Sequence, residues 1–527
     1  MSFVNQSKTK RLVAVHGWSG MILGLVLYVV VLTGAIVVFA SEIGAWSAGG
    51  RSASDAFSQP IDARFRELSE SVAPEYREEV VAFTNSGGDI VAFFHTHEER
   101  ESGGIEDKGV RFYLDGETLE IKQRYEGFVT EMPTDPEGAL DDFITDVHIN
   151  LYMPRPWGLY ATGILGIIML IAAISGILVH RHILKELFLS PRKSSALLFR
   201  KDKHVLAGSW SLPFAFLLAF TGSFFSFATT IGLPVVAMVA FDGDQEQMIE
   251  TLIGVEAEPN ETPAPLANLD QLLAASRTNA GTDAQSIAIA HWGRADAMVT
   301  LFHPAAEGEL TGDTHLFNGV TSEYLGIKPI IGSQPSLGGA IVGLIGPLHF
   351  GNYAGLLGKI VWLALGFALC YVTLTGLQMW VERREEAPVW RRIGRVIPAV
   401  GYGTAIGMVG AAYAYFATIH STFDPHYWVA MGALCTFVGS LAPAFTSIEP
   451  AAISRLLRRT LGIGMVFLPA ARMISGGPHW IDAFSMRGWA IIGVDLVLIV
   501  GGAVAILGIR RIAKREVQLP VAEALTS

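Results

Sequence analysis

The feature that most constrains this chain is a series of uncharged apolar runs, each long enough to cross a lipid bilayer. A helix needs about 20 consecutive apolar residues to do so. Of the 527 residues, 51% are hydrophobic and 17% are charged. Spanning-length runs lie at about 13–40, 157–179, 205–240, 360–381, 396–419, 427–448 and 486–509, with a weaker run at about 460–476. The pattern predicts an integral membrane protein, an all-α bundle of about eight transmembrane helices.

Charge is distributed unevenly around these runs. The net charge is −11, and most acidic side chains fall in two polar blocks, residues 41–155 and 241–352. Basic side chains gather in the short segments between the other runs and at both ends of the chain. Because short cytoplasmic loops are enriched in Lys and Arg, we expect both termini in the cytoplasm and both acidic blocks in the periplasm of a bacterial inner membrane. The first run is interpreted as an uncleaved anchor, and nucleic-acid binding is not expected.

Both acidic blocks have the pattern of a small α+β module. The first block has an amphipathic stretch at 61–73 and the second has one at about 268–279. Each stretch precedes alternating apolar segments that end at a turn, Asp115-Gly116 in one block and Asn318-Gly319 in the other. The strands are predicted at 80–84, 89–97 and 110–114 in the first block and at 286–291, 298–303 and 315–317 in the second.

These patterns predict six regions along the chain. They are the cytoplasmic N-terminus with the first helix (1–40), the first periplasmic module (41–155), helices two and three with a basic cytoplasmic loop (156–240), the second periplasmic module (241–352), helix four (353–385), and an additional four-helix region with a cytoplasmic C-terminus (386–527).

Histidines and Ser/Thr-Gly pairs repeat between the two halves of residues 1–385. In one matched set, the interval from histidine to glycine is the same in both halves of the chain. In the other matched set, the two intervals differ by one residue. The matched sets are His16, Gly20 and Thr33-Gly34 with His204, Gly208 and Thr221-Gly222, and His148 and Ser175-Gly176 with His349 and Thr375-Gly376. Each half therefore has the order helix, outside module, helix.

The repeated histidines are candidate haem ligands. Haem b takes one or two imidazoles from facing helices, and the chain has no Cys-x-x-Cys-His for covalent attachment. We predict two haem b groups, an outer one held by His148 and His349 and an inner one held by His16 and His204. His180, which has Trp380 at the repeat-related position, is an alternative inner ligand or a hydrogen-bonding partner of a propionate.

Three further groups of residues carry weaker signals. His95 and His97 alternate along a strand, so both face one side, where they could bind a metal or ferric chelate; a solvated strand end is the favoured interpretation. His291, His303 and His315 are interpreted as surface residues. Arg472 and Asp495 lie within the added helices, where a charge has either a functional role, with a proton or quinone, or a structural partner.

The chain resembles the PepSY-associated transmembrane family over roughly residues 10–385. The matching motifs are His16-Gly17-Trp18, Asp146-Val147-His148, Ser175-Gly176 with His180, Pro347-Leu348-His349 and Thr375-Gly376 with Trp380, together with the paired α+β modules. That family includes inner-membrane dihaem proteins that reduce ferric siderophores. The resemblance implies ligand roles for His16, His148, His204 and His349, whereas the family's usual arginine after the first helix histidine is Gly17 here.

The predicted function is haem-dependent electron transfer to the periplasm, where a ferric siderophore or other ferric chelate is reduced and iron(II) is released. The protein would then be an oxidoreductase of the b-type cytochrome class. The chain has no Gly-x-Gly-x-x-Gly or Gly-x4-Gly-Lys-Ser/Thr motif, so a separate quinol or cytoplasmic reductase is expected to supply the electrons. Two alternatives remain open: a periplasmic ligand- or protease-binding membrane protein without redox activity, and a transporter.

Overall fold

The computed structural model describes residues 6–49, 57, 59–100, 104–179, 187–188, 190–192, 194–253 and 258–508. The chain divides into two compact units, Met1–Trp380 and Val381–Ser527. Candidate ligand His180 lies outside the described residues.

The described residues include seven helices that are long and apolar enough to cross a membrane. They are Ser7–Val37, Trp157–Val179, Leu197–Ala240, Gly355–Glu382, Pro388–Thr418, Pro425–Phe445 and Trp489–Leu507. Each overlaps one of the seven stronger apolar runs, so the predicted helical membrane protein is confirmed. The weaker run forms the second half of helix Pro450–Ile474, whose first half carries Arg455, Arg458 and Arg459. Its apolar part, residues 460–474, is only about 22 Å long, shorter than the bilayer core.

The first unit contains eleven described helices and eight strands. The helices are α1 Gln6–Val37, α2 Ala40–Ala48, α3 Asp62–Ser71, α4 Ala139–Asn150, α5 Trp157–Val179, α6 Ala196–Phe227, α7 Leu233–Ala240, α8 Gln245–Ile253, α9 Leu269–Ala280, α10 Leu337–Phe350 and α11 Gly355–Glu382. The strands are β1 Glu79–Thr84, β2 Ile90–Glu99, β3 Ile105–Leu114, β4 Ile121–Phe128, β5 Ser286–Ala290, β6 Met298–His303, β7 Asp313–Asn318 and β8 Tyr324–Ile327.

The two predicted α+β modules share a single antiparallel sheet. Its strand order is β4-β3-β2-β1-β5-β6-β7-β8, so the first module (α3, β1–β4) joins the second module (α9, β5–β8) where β1 pairs with β5. Val81 is opposite Ala288 in that pairing. The strands predicted from alternation are present, and β4 and β8 add one edge strand to each module.

One face of the sheet packs against α3 and α9 in a common hydrophobic core. Phe65 and Leu68 of α3 and Leu272 of α9 are buried there with Phe94 and Phe112 of the strands. These side chains recur at helical spacing on α3 and at alternate positions on the strands, as amphipathic elements require.

The two module helices also cap each other. The Asp270 carboxylate accepts hydrogen bonds from the amides of Ile61 and Asp62, at 2.7 and 3.2 Å. In return, the Asp62 carboxylate accepts from the amide of Leu269 at 2.9 Å. Each carboxylate thus satisfies free amides at the start of the other helix, where the helix dipole favours negative charge.

Below the sheet, four long helices of the first unit meet in an apolar cluster. Phe214 of α6 and Leu369 of α11 are buried at its centre, with Val31 of α1 and Met169 of α5 packed against them. The shorter helices α4 and α10 each precede a long one and carry His148 and His349 in their last turns.

The second unit is a set of five described helices. They are α12 Pro388–Thr418, α13 Pro425–Leu441, α14 Pro450–Ile474, α15 Trp480–Ser485 and α16 Trp489–Leu507. A fully buried ion pair joins α14 to α16, with Arg472 Nη2 2.8 Å from Asp495 Oδ2. Trp480 Nε1 donates to the same carboxylate at 2.8 Å, and Arg472 Nη1 donates to the Pro478 carbonyl at 2.7 Å.

Candidate cofactor sites in the membrane helices

The four repeated histidines meet as two pairs. The ring centroids of His16 on α1 and His204 on α6 are 6.3 Å apart, and those of His148 on α4 and His349 on α10 are 6.1 Å apart. These are the pairings derived from the repeat. What the pairs bind stays a prediction.

The two pairs lie at different levels of the same helices. On α1, seventeen residues separate His16 from Thr33, which lies beside His148, and an equal interval on α6 separates His204 from Thr221, beside His349. At 1.5 Å per residue, the two levels are about 25 Å apart. The apolar cluster around Phe214 and Leu369 lies between them.

Every one of these histidines rests on a Ser/Thr-Gly pair of a neighbouring helix, an arrangement we name the seat. A Cβ on the seat glycine would lie within 3.4 Å of the ring carbon Cε1 in all four cases. It would clash at Gly34, at 2.6 Å, would be tight at Gly222 and Gly376, at 3.3 and 3.2 Å, and would be in ordinary contact at Gly176, at 3.4 Å. The seats are Ser175-Gly176 for His16, Thr375-Gly376 for His204, Thr33-Gly34 for His148 and Thr221-Gly222 for His349.

Each ring is also held through its Nδ1 atom, either at the seat hydroxyl or at a carbonyl one helical turn before it. His204 Nδ1 is 3.1 Å from the Thr375 hydroxyl, and His349 Nδ1 is 2.7 Å from the Thr221 hydroxyl. His16 Nδ1 is 2.9 Å from the Ala172 carbonyl, and His148 Nδ1 is 2.9 Å from the Val30 carbonyl. Both carbonyls lie one helical turn before the seat hydroxyl. The four rings are thereby oriented by the same kind of contact.

These contacts leave Nε2 as the open nitrogen of each ring. A carbonyl can only accept, so His16 and His148 carry their proton on Nδ1 and present a lone pair on Nε2. Nε2 has no hydrogen-bond partner in any of the four rings within the described part of the chain, and all four rings are only half-buried. Metal-binding histidines commonly have this arrangement, with the second nitrogen donating to a carbonyl or another acceptor.

The ring separations fit two imidazoles on one iron. A metal–imidazole bond is about 2 Å long, and a ring nitrogen lies about 1.1 Å from the ring centroid because its C–N bonds are about 1.33 Å. Two opposed ligands would place their centroids about 6.2 Å apart. The observed 6.3 and 6.1 Å agree with this distance.

Two glycines leave open space beside the inner pair. One turn after His16, a Cβ on Gly20 would meet no atom within 4 Å, and the repeat-related Gly208 has only Val372 nearby, at 3.8 Å. Gly17 is different, because a side chain there would overlap the Trp380 ring. A long arginine side chain at this position would therefore require Trp380 to move.

The strand histidines of the first module form an acid–base cluster on the sheet face opposite the helices. His95 Nε2 is 3.3 Å and His97 Nε2 is 3.7 Å from the Glu79 carboxylate, and His97 Nδ1 is 2.8 Å from Asp107. The hydrogen bond to His95 lowers the pKa of Glu79. Burial opposes the charged form of His97, but the bond to Asp107 and the charge of Glu79 outweigh it and raise its pKa.

The strand cluster only partly matches the interpretation as a solvated strand end, because His97 is exposed and His95 is not. Binding of a metal or ferric chelate at this cluster stays a prediction. The two rings share a face as expected, but His95 is only 4% exposed and is therefore not at a solvated strand end. Among the described residues, no group of three or more His, Cys, Asp or Glu side chains is arranged to hold a metal ion. Carboxylate–imidazole contacts join strands β1, β2 and β3 at this cluster.

The expectation that the second-module histidines are surface residues is wrong for two of them. His303 and His315 are each 1% exposed, because they lie at alternate strand positions continuing those of the core residues Leu301 and Phe317. His291 is half-buried and lies 3.4 Å from Asp296. The polar residue type suggested that these histidines are exposed. Their positions along the strands instead place His303 and His315 on the buried face of the sheet.

The two charges of the second unit have the structural partners that were considered for them. Arg472 and Asp495 pair directly and are further bonded to Pro478 and Trp480. Their buried charges compensate each other, so the ion pair needs no bound ligand to explain it.

The seats are the part of the site that sequence reasoning missed. The Ser/Thr-Gly pairs were detected as repeat markers through their fixed intervals from the histidines. Their partners, however, lie on other helices: the Thr33-Gly34 pair of α1 contacts His148 of α4, not His16 of its own helix. Only the packing of the helices assigns each seat to its ring.

Comparison with known proteins matches most of the first unit. A family model described as the PepSY-associated TM region matches residues 13–383. An uncharacterized protein of Pseudomonas aeruginosa is 28% identical over 287 residues, which represent 51% of this chain and 70% of the relative. The family match includes both histidine pairs and all four seats.

Proposed function

The chain belongs to the PepSY-associated transmembrane family, and on this premise we propose that it conducts electrons across a membrane through two haem b groups. His16 and His204 would hold the inner haem, and His148 and His349 the outer haem. The observation that carries the proposal is the fourfold repetition of one arrangement. An imidazole packs against a Ser/Thr-Gly seat, its Nδ1 contacts the seat hydroxyl or the carbonyl one turn before it, its Nε2 is open, and a second ring lies about 6 Å away.

A bound haem would supply one-electron chemistry, with a potential tuned by its ligands and their hydrogen bonds. The protein's own residues provide the rest. The seats fix ring orientation, and the Ala172 and Val30 carbonyls also fix the tautomer of His16 and His148, so little reorganisation is needed on ligand binding. The cluster around Phe214 and Leu369 keeps the space between the levels apolar, which excludes water from the middle of the bundle.

We place the shared sheet on the periplasmic side of a bacterial inner membrane, with both chain termini in the cytoplasm. This placement requires helix Pro450–Ile474, whose 25 residues are about 37 Å long, to cross the bilayer as an eighth span beside the seven apolar helices. The supporting observation is the concentration of Lys and Arg in the short segments between helices, contrasted with the acidic polar blocks. The electron donor is then a quinol or a cytoplasmic reductase.

The proposed substrate is a ferric siderophore or another ferric chelate at the periplasmic side. It accepts one electron, and iron(III) becomes iron(II). Siderophore oxygen ligands are hard and hold iron(II) less tightly, so reduction releases the metal for uptake. In this role the protein is a ferric-chelate reductase of the b-type cytochrome class.

The first test is the reduced-minus-oxidised visible spectrum of the detergent-purified protein, with a pyridine haemochrome assay for stoichiometry. We expect two b-type haems per chain and reoxidation of the reduced protein on adding a ferric siderophore. A colourless protein from cells with adequate haem would overturn the proposal and favour a ligand-binding or transport role. If the protein contains two haems but the ferric siderophore does not reoxidise them, the proposed transmembrane electron transfer stands and the proposed substrate is wrong.

A second test separates the two sites. We expect His148→Ala and His349→Ala each to lose the outer haem and keep the inner one, because each removes one ligand of one pair. His97→Ala, which removes an exposed imidazole from the sheet, is the matched control and should keep both haems. Unchanged haem content in both outer-pair variants would contradict the pairing.

A further inference from the structure

The outer edge of the second module contains two buried histidines that the proposed electron path does not use. His303 ends β6 and His315 lies on the neighbouring strand β7, and each is 1% exposed. They are diagonal neighbours on one face of the sheet, because His303 is opposite Asp313 and His315 is opposite Leu301. Their ring centroids are 5.1 Å apart with the rings nearly perpendicular, so the two imidazoles are in direct contact.

Each ring ties its strand to a neighbouring segment through Nδ1. His303 Nδ1 is 2.8 Å from the carbonyl of Thr282, in the loop between α9 and β5. His315 Nδ1 is 2.9 Å from the hydroxyl of Tyr324 on β8, and these two rings are stacked with centroids 5.7 Å apart. β8 is the last strand of the sheet and pairs with β7. The two histidines therefore join β6, β7, β8 and the α9–β5 loop into one packed edge.

The Nε2 atoms of both rings are buried without a hydrogen-bond partner among the described residues. The Thr282 carbonyl only accepts, so neutral His303 keeps its proton on Nδ1 and presents a bare lone pair on Nε2. A second proton on either ring would leave a buried positive charge and an N–H group without an acceptor, beside the other ring. Burial accordingly lowers the pKa of His303 and of His315.

The charged groups around the pair do not supply the missing partner. Asp283 follows α9 and forms an ion pair with Arg277 of that helix, whose charge opposes protonation of His303. Asp313 begins β7, and its negative charge favours the protonated form of His315. Neither carboxylate is hydrogen-bonded to an Nε2 atom, and burial outweighs their attraction. The closed edge therefore holds both rings in the neutral form.

We propose that His303 and His315 form an acid-sensitive latch, whose protonation releases β8 and the adjoining part of β7 from the edge of the sheet. In the opened edge both Nε2 atoms reach water and bind protons that the closed edge excludes. Histidine suits this role because its solvated imidazole titrates near pH 6.5. Local opening of an edge strand also costs less than unfolding of the whole sheet.

The latch adds a pH response to the part of the chain that leads to the outer histidine pair. Residues 328–336 follow β8 and connect it to α10, whose last turn carries His349. Opening of β8 therefore loosens the connection between the sheet and this helix. The latch goes beyond the proposed electron transfer and does not require a bound haem.

The direction of the pH effect follows from the lowered pKa values. Each histidine binds fewer protons in the closed edge than in the open edge, so closure is fully favoured above about pH 6.5 and weakens as pH falls below it. One proton taken up on opening raises the open population by up to about tenfold per pH unit, and two protons by up to about 100-fold.

The test is hydrogen exchange of the detergent-purified full chain at pH 5.5 and pH 4.5, corrected for intrinsic exchange rates and followed by mass spectrometry. The measured quantity is the protection of β7 and β8 relative to that of β1 in the same sample. β1 is the reference because it is a central strand, paired on both sides, and opens only with the whole sheet. We expect the ratio to fall by up to about 100-fold at the lower pH.

The His303→Asn/His315→Asn variant removes both titratable rings and keeps a side-chain amide N–H at each position. Its protection ratio should not change with pH. His97→Asn is the matched control, because a protonated His97 has a carboxylate partner, Asp107, at 2.8 Å, and this variant should keep the wild-type response. If the double variant does not fold, His315→Asn alone should reduce the response to about tenfold.

A wild-type edge whose protection does not respond to pH would overturn the proposal; a water bound at the two Nε2 atoms, accepting the added protons, would give that result. An unchanged response in the double variant would also overturn it, because another group would then be titrating. Equal losses of protection in β1 and β8 would show unfolding of the whole sheet and exclude a latch at its edge. Haem-free protein should give the same result as haem-loaded protein, so the latch and the proposed function fail separately.

Discussion

At the residue scale, the four membrane histidines obey one packing rule. A glycine lets the ring approach a neighbouring helix, and the hydroxyl or carbonyl beside it binds Nδ1. The seat hydroxyls also bond back to carbonyls of their own helix, as Thr33 does to Val29, which satisfies them away from water. The steric requirement for glycine is strictest at Gly34, where a Cβ would lie 2.6 Å from the His148 ring.

We predict that Gly34→Ala weakens the outer haem site. The new Cβ would lie 2.6 Å from Cε1 of His148, and displacing a packed group typically costs about 1–3 kcal/mol, which is a roughly 5- to 150-fold loss of affinity. Haem titration of the stripped protein measures this loss. Gly493→Ala is the control, since a Cβ there meets no atom within 4 Å, and equal affinity in the two variants would reject the steric role.

At the element scale, the sheet depends on the reciprocal caps between α3 and α9. The caps and the β1–β5 pairing are the contacts that join the two similar modules into one sheet with its two helices. Helix α4 then connects this sheet region to the membrane, since it carries Asp141 in its first turn and His148 in its last.

We expect Asp270→Ala to destabilise the sheet region by about 1 kcal/mol, because a cap for two α3 amides is lost. Hydrogen exchange of the strand amides measures the change. Asp424→Ala removes a cap of similar geometry in the second unit, where Asp424 accepts from the His426 amide, and should leave sheet exchange unchanged. The Asp62→Ala/Asp270→Ala variant should lose less than the summed effects, because the two residues act on one junction.

A second prediction concerns pH and the start of α4. Burial raises the pKa of Asp141 and of Glu137 to about 7, from 3.8 and 4.5. The folded protein therefore holds protons that the unfolded chain releases, and stability should decrease as pH rises from about 4 through 7, then level off. Thermal midpoints of the purified protein between pH 5 and 8 measure the slope. Asp141→Asn should flatten it; an unchanged slope in this variant would contradict the assignment.

At the scale of the whole molecule, the two units differ in their resemblance to known proteins. The family match, residues 13–383, ends close to the boundary between the units at Trp380 and Val381. Both histidine pairs lie in the first unit. The second unit instead carries the buried ion pair of Arg472 and Asp495.

We predict that Arg472→Leu destabilises the second unit strongly, by about 3–5 kcal/mol, because Asp495 is left as an uncompensated buried charge. Arg472→Leu/Asp495→Leu should recover most of the loss, since both charges are then absent. Thermal unfolding followed by tryptophan fluorescence measures both variants. Their haem spectra should equal that of wild type; loss of either haem in the double variant would show that the units depend on each other.

Local patterns were sufficient to predict much of the architecture. Apolar runs predicted the seven membrane helices. A helix that crosses a bilayer must be apolar over about 20 residues, and such a run can be counted directly in the sequence. Alternation predicted the strands of both modules, for example Met298–His303. The internal repeat also predicted which histidines pair, because equal intervals on related helices place equivalent residues at one level.

Other features depended on contacts between distant residues. The sequence by itself determined the helices, the strands and the repeat, since each depends on the spacing of residues along the chain. Only the tertiary structure decided that β1 pairs with β5, that each seat serves a ring on another helix, and that His303 and His315 are buried together. The physical reason is that a pairing partner and a depth of burial are set by packing between segments, which no local period encodes.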